Sequence, residues 1–167
     1  NKGLPSNINL NIYSDFQNGT WAVHQNGITR IQGNDQLMLW GEDLGLNTSI
    51  SKISNVDQIY LTTFDGVYTL IGNNNLHFIE NTEDRLFNIF NTKDYILVIG
   101  DNGLYKIKNE NLIKTIPIKG GTNVFPTADN KYNITTFRDG IIQYSPESDH
   151  TENYIPEISG FCNSILS

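Results

Sequence analysis

Asn18-Gly19-Thr20-Trp21-Ala22-Val23-His24-Gln25-Asn26-Gly27-Ile28-Thr29-Arg30-Ile31 sets two short apolar arms on either side of an Asn-Gly dipeptide. Glycine has no Cβ and takes positive φ freely, and asparagine tolerates it better than most residues, so the pair suits a tight turn. The arms carry Trp21, Val23, Ile28 and Ile31, aromatic and β-branched residues suited to a pleated surface. The stretch predicts a β-hairpin closed by a two-residue type I′ turn at Asn26-Gly27.

The same arrangement returns along the chain. Asn26-Gly27, Asp65-Gly66, Asn102-Gly103 and Asp139-Gly140 place their glycines 39, 37 and 37 residues apart, each followed at once by Ile28, Val67, Leu104 or Ile141. Six residues before the glycine stand Trp21, Tyr60, Leu97 and Ile134, and four after it stand Ile31, Leu70, Ile107 and Tyr144. These bulky residues are expected to supply cross-strand pairs. An apolar segment precedes each hairpin, at Ile8 to Tyr13, Ile50 to Val56, Leu86 to Phe90 and Val124 to Ala128. Another follows each, at Leu37 to Trp40, Leu76 to Ile79, Leu112 to Ile118 and Tyr154 to Ile158. Asp15, Asp57, Asp94 and Asp129 punctuate the first connection of each copy. Four strands per repeat at this period imply an all-β fold, a β-propeller of four blades of four antiparallel strands. Helical repeats would instead show apolar residues three and four apart over about ten residues or more.

Composition narrows the function classes. A net charge of −7 with only 11 Lys and Arg, none in a run, argues against nucleic acid or an anionic membrane surface as partner. The single Cys162 forms no internal disulfide and has no local pattern of an activated thiol. No apolar run is long enough for a membrane span. His24, His77 and His150 lack metal-ligand spacing, and no phosphate-cradling glycine loop or nucleophile elbow occurs, so no metal or cofactor is expected.

The first repeat carries a more specific signal. Leu4-Pro5-Ser6-Asn7, Ile8 through Asp15, Asn18-Gly19-Thr20-Trp21 and Asn26-Gly27-Ile28-Thr29-Arg30-Ile31 together resemble the two-component regulator propeller repeat. Asp65-Gly66-Val67-Tyr68 after Thr63, and Asp101-Asn102-Gly103-Leu104-Tyr105, resemble the same hairpin. His24, Gly100 and Phe137 stand where that pattern has the threonine that Thr63 keeps. The repeats divide the chain into blades at 4–40, 41–79, 80–118 and 119–158. Residues 159–167 resemble the inner strand of a further blade, which either closes the ring or continues a larger propeller.

The resemblance implies a non-catalytic sensor module of a bacterial two-component receptor, periplasmic or extracellular, which answers to polysaccharide fragments and acts on downstream signalling domains. Remaining blades or a second copy of the chain are the expected neighbours. Ligand contacts should come from the links between blades, at 40–48, 80–85, 119–123 and 157–163. Trp40, Glu42, Asp43 and Asn47 combine an aromatic face for a sugar ring with groups that bond its hydroxyls. Asp84, Arg85, Lys119 and Asn123 supply charge and amides for an acidic ligand such as a uronate. Packing between blades competes for Trp40, and solvated turns compete for the charges. Two alternatives stay open at this point: an interaction propeller without a small ligand, and a propeller lyase or hydrolase, whose paired carboxylates no sequence spacing can establish.

Overall fold

The computed structural model describes residues 9–155 apart from 16–17, 25–26, 33–35, 56–57 and 73–74. Among these residues sixteen strands form four antiparallel sheets, each built from consecutive strands in chain order. Blade 1 holds β1 (Asn9–Ser14), β2 (Thr20–His24), β3 (Gly27–Gln32) and β4 (Gln36–Gly41). Blade 2 holds β5 (Ile50–Asn55), β6 (Ile59–Thr63), β7 (Val67–Ile71) and β8 (Asn75–Phe78). Blade 3 holds β9 (Leu86–Asn91), β10 (Ile96–Gly100), β11 (Gly103–Lys108) and β12 (Asn111–Pro117). Blade 4 holds β13 (Gly121–Pro126), β14 (Tyr132–Thr136), β15 (Ile141–Ser145) and β16 (His150–Ile155). A 3-10 turn, Glu42–Leu44, lies in the link from blade 1 to blade 2.

Three apolar clusters hold the blades face to face. Trp21, Val23, Ile28 and Trp40 of blade 1 meet Leu46, Ile53 and Leu61 of the next. Tyr60, Val67 and Ile79 meet Leu86, Ile96 and Val98, and Leu97, Ile99 and Leu104 meet Val124, Ile134 and Ile142. Alternation along the strands explains the pattern, since Tyr60 and Leu61 point to opposite faces of one sheet and serve two different clusters. Each such fully buried side chain contributes roughly 1.5–3 kcal/mol of transfer free energy. The inner strands β5, β9 and β13 run side by side. Ser54 Oγ donates to Asn91 Oδ1 at 2.6 Å, and Asn88 Nδ2 to Asn123 Oδ1, so polar side chains stitch them together.

One irregularity recurs in all four blades. The inner strand bulges just after its first residue, at Leu10, Ser51, Phe87 and Thr122, so that two residues there oppose one on the second strand. In blades 2 and 4 the bulge carries a hydroxyl that bonds the neighbouring threonine, Ser51 to Thr62 at 2.9 Å and Thr122 to Thr135 at 2.7 Å. Bulges bend a strand and re-aim its side chains, here at the same end of every blade.

The structure corrects several details of the hairpins. Of Asp65, Gly66, Asn102, Gly103, Asp139, Gly140 and Gly27, only Gly66 and Gly140 have positive φ, so the turns of blades 2 to 4 are not type I′, and Gly27 does not take the left-handed place expected of it. In blade 2 the Thr63 hydroxyl accepts from Asp65 N and Gly66 N and donates to Gly66 O, which satisfies the turn without two left-handed residues. The type I′ geometry sits elsewhere, at Asn109 (φ 49°) and Glu110 (φ 64°) between β11 and β12. Gly27 is required for a different reason, because a Cβ there would lie 2.4 Å from the Trp40 carbonyl. Asn26 lies outside the described residues. The bulky flanking residues are not partners of one another: Trp21 pairs Arg30, Tyr60 pairs Thr69, and Ile31 pairs Thr20.

Blade 4 departs further. Thr136, not Phe137, takes the place of Thr63, with its N–H and hydroxyl bonding Gly140 O at 2.9 and 3.1 Å, so this turn is one residue longer. Counting back from that threonine puts Asn133 where blades 1 to 3 have Trp21, Tyr60 and Leu97. Lys131 Nζ bonds Gln143 Oε1 at 2.8 Å, Gln143 Nε2 bonds Asn133 Oδ1 at 3.2 Å, and Glu152 lies 3.8 Å from Lys131. The face of blade 4 turned away from blade 3 is therefore a polar network. Its outer strand runs from His150, four residues before the expected Tyr154 start, where exposed His150, Glu152 and Asn153 join the backbone ladder and show no apolar alternation. The blade links run 42–49, 79–85 and 118–120, and Asn123 belongs to β13. The fourth link, Cys162 and the strand expected at 159–167 lie outside the described residues.

Candidate functional site

Each of the three described links between blades reaches the turn joining the second and third strands of the blade it enters. Phe64 N donates to Ser49 O at 3.0 Å, Asp101 N to Arg85 O at 3.1 Å, and Phe137 N to Gly120 O at 2.7 Å. Phe64, Asp101 and Phe137 are thus equivalent positions on one end of the arc, beside the bulged starts of the inner strands.

Asp84 organises the middle of this end. It is buried, and its Oδ1 accepts from Arg85 N at 2.9 Å and Asn102 Nδ2 at 2.8 Å. Its Oδ2 accepts from Asn102 N at 2.9 Å and Tyr105 Oη at 3.0 Å. Burial, and then the Asp84 charge, push the Tyr105 phenol well above its ordinary pKa. With four donors on it, the Asp84 carboxylate is a scaffold for the loop and not a ligand group.

The neighbouring Arg85 is directed outward. Its guanidinium carbon lies 4.9 Å from the centre of the Phe64 ring and 5.1 Å from that of Phe87. Phe87, the bulge residue of β9, meets Phe137 edge-on at 5.5 Å. Phe64 is 45% exposed and Phe137 36%, so the row Phe64, Arg85, Phe87, Phe137 presents aromatic surface around a cation. Among the described residues no carboxylate lies within ion-pair distance of Arg85.

The expected site residues divide accordingly. Trp40 is 2% exposed and stacks on Trp21 at 5.1 Å between blades 1 and 2, so it cannot offer a face to a sugar, which corrects that expectation. Glu42, Asp43 and Asn47 are exposed in the first link, whose 3-10 turn closes through Gly45 N to Glu42 O at 3.0 Å. Lys119 is exposed beside Gly120. The Asn123 amide is engaged with Asn88 and its own strand through Val124 N. The sequence reading missed Phe64, Phe87 and Phe137. Phe64 had a signal, since an aromatic residue beside the aspartate of a tight turn has no turn-forming role.

The opposite end holds a different feature, a cleft of about 350 Å³ between blades 2 and 3 lined by Gln58, Tyr60, Lys93, Tyr95, Lys108 and Glu110 among others. In its wall the Tyr95 phenol has its pKa pushed up to about 12, first by burial and then by Tyr132. Asp149 joins blades 3 and 4 there: the Tyr144 hydroxyl donates to it at 2.6 Å, and Lys106 and Lys114 stand 3.7 and 3.9 Å away. Those contacts, the Tyr144 bond first, hold its carboxyl below the usual carboxylate range. Among the described residues no group of three His, Cys, Asp or Glu side chains gathers to hold a metal ion, and no helix is long and apolar enough to cross a membrane.

No protein-family model and no curated protein matches the chain. Solved structures do. The extracellular domain of BT4673 from B. thetaiotaomicron, described as part of a one component system, superimposes with a TM-score of 0.75 at 18% identity over 98% of this chain. A second structure of that domain, described as part of a hybrid two component system, gives 0.71 at 17% identity over 90%. A catalytically inactive virginiamycin B lyase from Staphylococcus aureus with quinupristin gives 0.72 at 13% identity over 92%. This chain spans 24% and 22% of the two BT4673 chains and 58% of the lyase chain. The shared property is the fold: four four-stranded antiparallel blades in chain order, a segment of β-propeller.

Proposed function

We propose that this chain is a non-catalytic, ligand-sensing propeller segment of a two-component-type receptor, working outside the cytoplasm. Its ligand is a polysaccharide fragment bound at the end where blade links meet the hairpin turns. The observation that carries the reading is the row of exposed Phe64, half-buried Phe87 and exposed Phe137, with Arg85 over the first two rings, held on rigid backbone by the three link-to-turn hydrogen bonds. Aromatic side chains left at 36–45% exposure gain by covering the apolar face of a sugar ring. The fold likeness to an extracellular receptor domain supports the sensing role. Signalling would follow from unequal affinity of the ligand for two arrangements of the blades and the domains attached to them.

The test is a screen of plant and microbial oligosaccharides by thermal shift and calorimetry on the whole chain, with Phe64→Ala and Phe137→Ala alongside. A binder whose affinity drops at least about fivefold in either variant supports the site. Binding indifferent to both variants moves the ligand elsewhere, and absence of any oligosaccharide binder rejects the reading in favour of an interaction propeller.

A further inference from the structure

Arg85 is held by two aromatic rings and not by a carboxylate, unlike the ion-paired cations among the described residues. Arg30 is nearly buried and bound to Asp15 at 2.8 Å, and Lys106, Lys114 and Lys131 each approach a carboxylate within 4 Å. Arg85 has neither an ion pair nor a side-chain hydrogen bond among the described residues, although Asp84 is its immediate neighbour in sequence. The reason is visible: the Asp84 carboxylate turns inward, its two oxygens filled by Arg85 N, Asn102 and Tyr105. The local negative charge is spent on the loop, and the positive charge next to it is left on the surface between two phenyl rings.

A guanidinium flanked by aromatic rings keeps its planar fork of N–H donors for an incoming anion, and that fork fits a carboxylate with two parallel bonds. Aromatic neighbours also reduce the hydration of the cation and limit its movement, which strengthens such a pair relative to a free surface arginine. The ligand that satisfies both parts of the row is a ring with an apolar face and a carboxylate on its edge.

We infer that the Arg85 cradle selects uronate-containing oligosaccharides over neutral ones, with Arg85 reading the uronate carboxylate and Phe137 with Phe87 flanking the adjoining sugar. This rests on the oligosaccharide-sensing reading above and adds the chemical class of the ligand. Arg85 is suited to removal, because the loop is held by its backbone N–H and carbonyl and not by its side chain.

The probes are trigalacturonate, its methyl ester and neutral galactotriose, titrated calorimetrically into the whole chain at neutral pH. The expected result is binding of trigalacturonate, weakened roughly 10-fold or more by esterification or by Arg85→Gln, with thermal stability unchanged. Arg85→Lys, which keeps charge but not the fork, should recover only part of the loss. Equal binding of the methyl ester, or an Arg85→Gln variant that binds trigalacturonate as the native chain does, overturns the assignment. Binding of neutral galactotriose without trigalacturonate would sink it while leaving oligosaccharide sensing intact; silence toward all three probes overturns the uronate assignment, and the wider sensing reading falls only if the full screen is silent as well.

Discussion

Replacing Asp84 by asparagine tests the scaffold on which the site depends. The two side chains are nearly isosteric, so packing is kept and only the acceptor set changes. Each carboxylate oxygen receives two donors, one of which is a backbone N–H: Arg85 N on Oδ1 and Asn102 N on Oδ2. Whichever oxygen becomes an NH2 group, one backbone N–H loses its acceptor. The second donor can adjust, since the Tyr105 hydroxyl can rotate to accept and the Asn102 amide can turn over. Losing one charge-assisted bond outright and weakening the others gives a cost of about 2–4 kcal/mol. For a chain of this length a 3 kcal/mol loss lowers Tm by roughly 6–12 °C. Urea unfolding followed by the fluorescence of buried Trp21 and Trp40 measures it. Tyr105→Phe removes a single donor and should cost about 1 kcal/mol, with the double variant less than additive because both act on one carboxylate. An Asp84→Asn chain within about 0.5 kcal/mol of the native one would refute the four-donor account.

Other perturbations follow from the same geometry. Trp40→Ala should cost about 3–5 kcal/mol, because it empties the interface between blades 1 and 2, whereas Trp40→Phe should cost about 1–2 kcal/mol, as the indole Nε1 makes no hydrogen bond among the described residues. Gly27→Ala should destabilise by about 2 kcal/mol in the same assay, since its Cβ meets the Trp40 carbonyl at 2.4 Å and the strands must part. The raised Tyr95 phenol contributes stability that is whole below the ordinary tyrosine value near 10 and is lost as pH climbs towards about 12; near-ultraviolet titration should find it still protonated where exposed tyrosines have ionised. The depressed Asp149 works in the opposite direction, giving stability that is whole above the ordinary carboxylate value and lost as pH falls through its lowered one. Tyr144→Phe should reduce that acid-side loss in urea midpoints taken from neutral pH downward.

The repeat and its strands were legible because glycine, turn aspartates and apolar arms recur at nearly constant spacing, and burial between blades fixes which residues must be apolar. Three things were not legible. The turn type depended on a hydroxyl, that of Thr63, substituting for left-handed backbone. The inserted residue in the fourth turn moved every register behind it by one, so that Ile134 was read in the place of Asn133. The third was the destination of each side chain in the links. Trp40 and Asp84 have the residue types of a binding site, yet both point inward, one into an apolar interface and the other onto its own loop. Phe87 reaches the surface row because a bulge redirects it, and a bulge leaves no mark in composition.

The polar face of blade 4 bears on how such an array could have grown. Tandem repeats lengthen by duplication, and a new copy is tolerated where the two surfaces it separates accept it. Copies of blades 2 or 3 present an apolar flank on both sides and could be inserted between their neighbours with little penalty. A copy of blade 4 placed between blades 3 and 4 would press the network of Lys131, Asn133 and Gln143 onto the apolar flank formed by Ile134 and Ile142, taking a charge and two amides out of water with little beyond one another as partners. Duplication of these units is therefore asymmetric: a copy of blade 2 or 3 meets apolar flanks on both sides, and a copy of blade 4 set behind blade 3 does not.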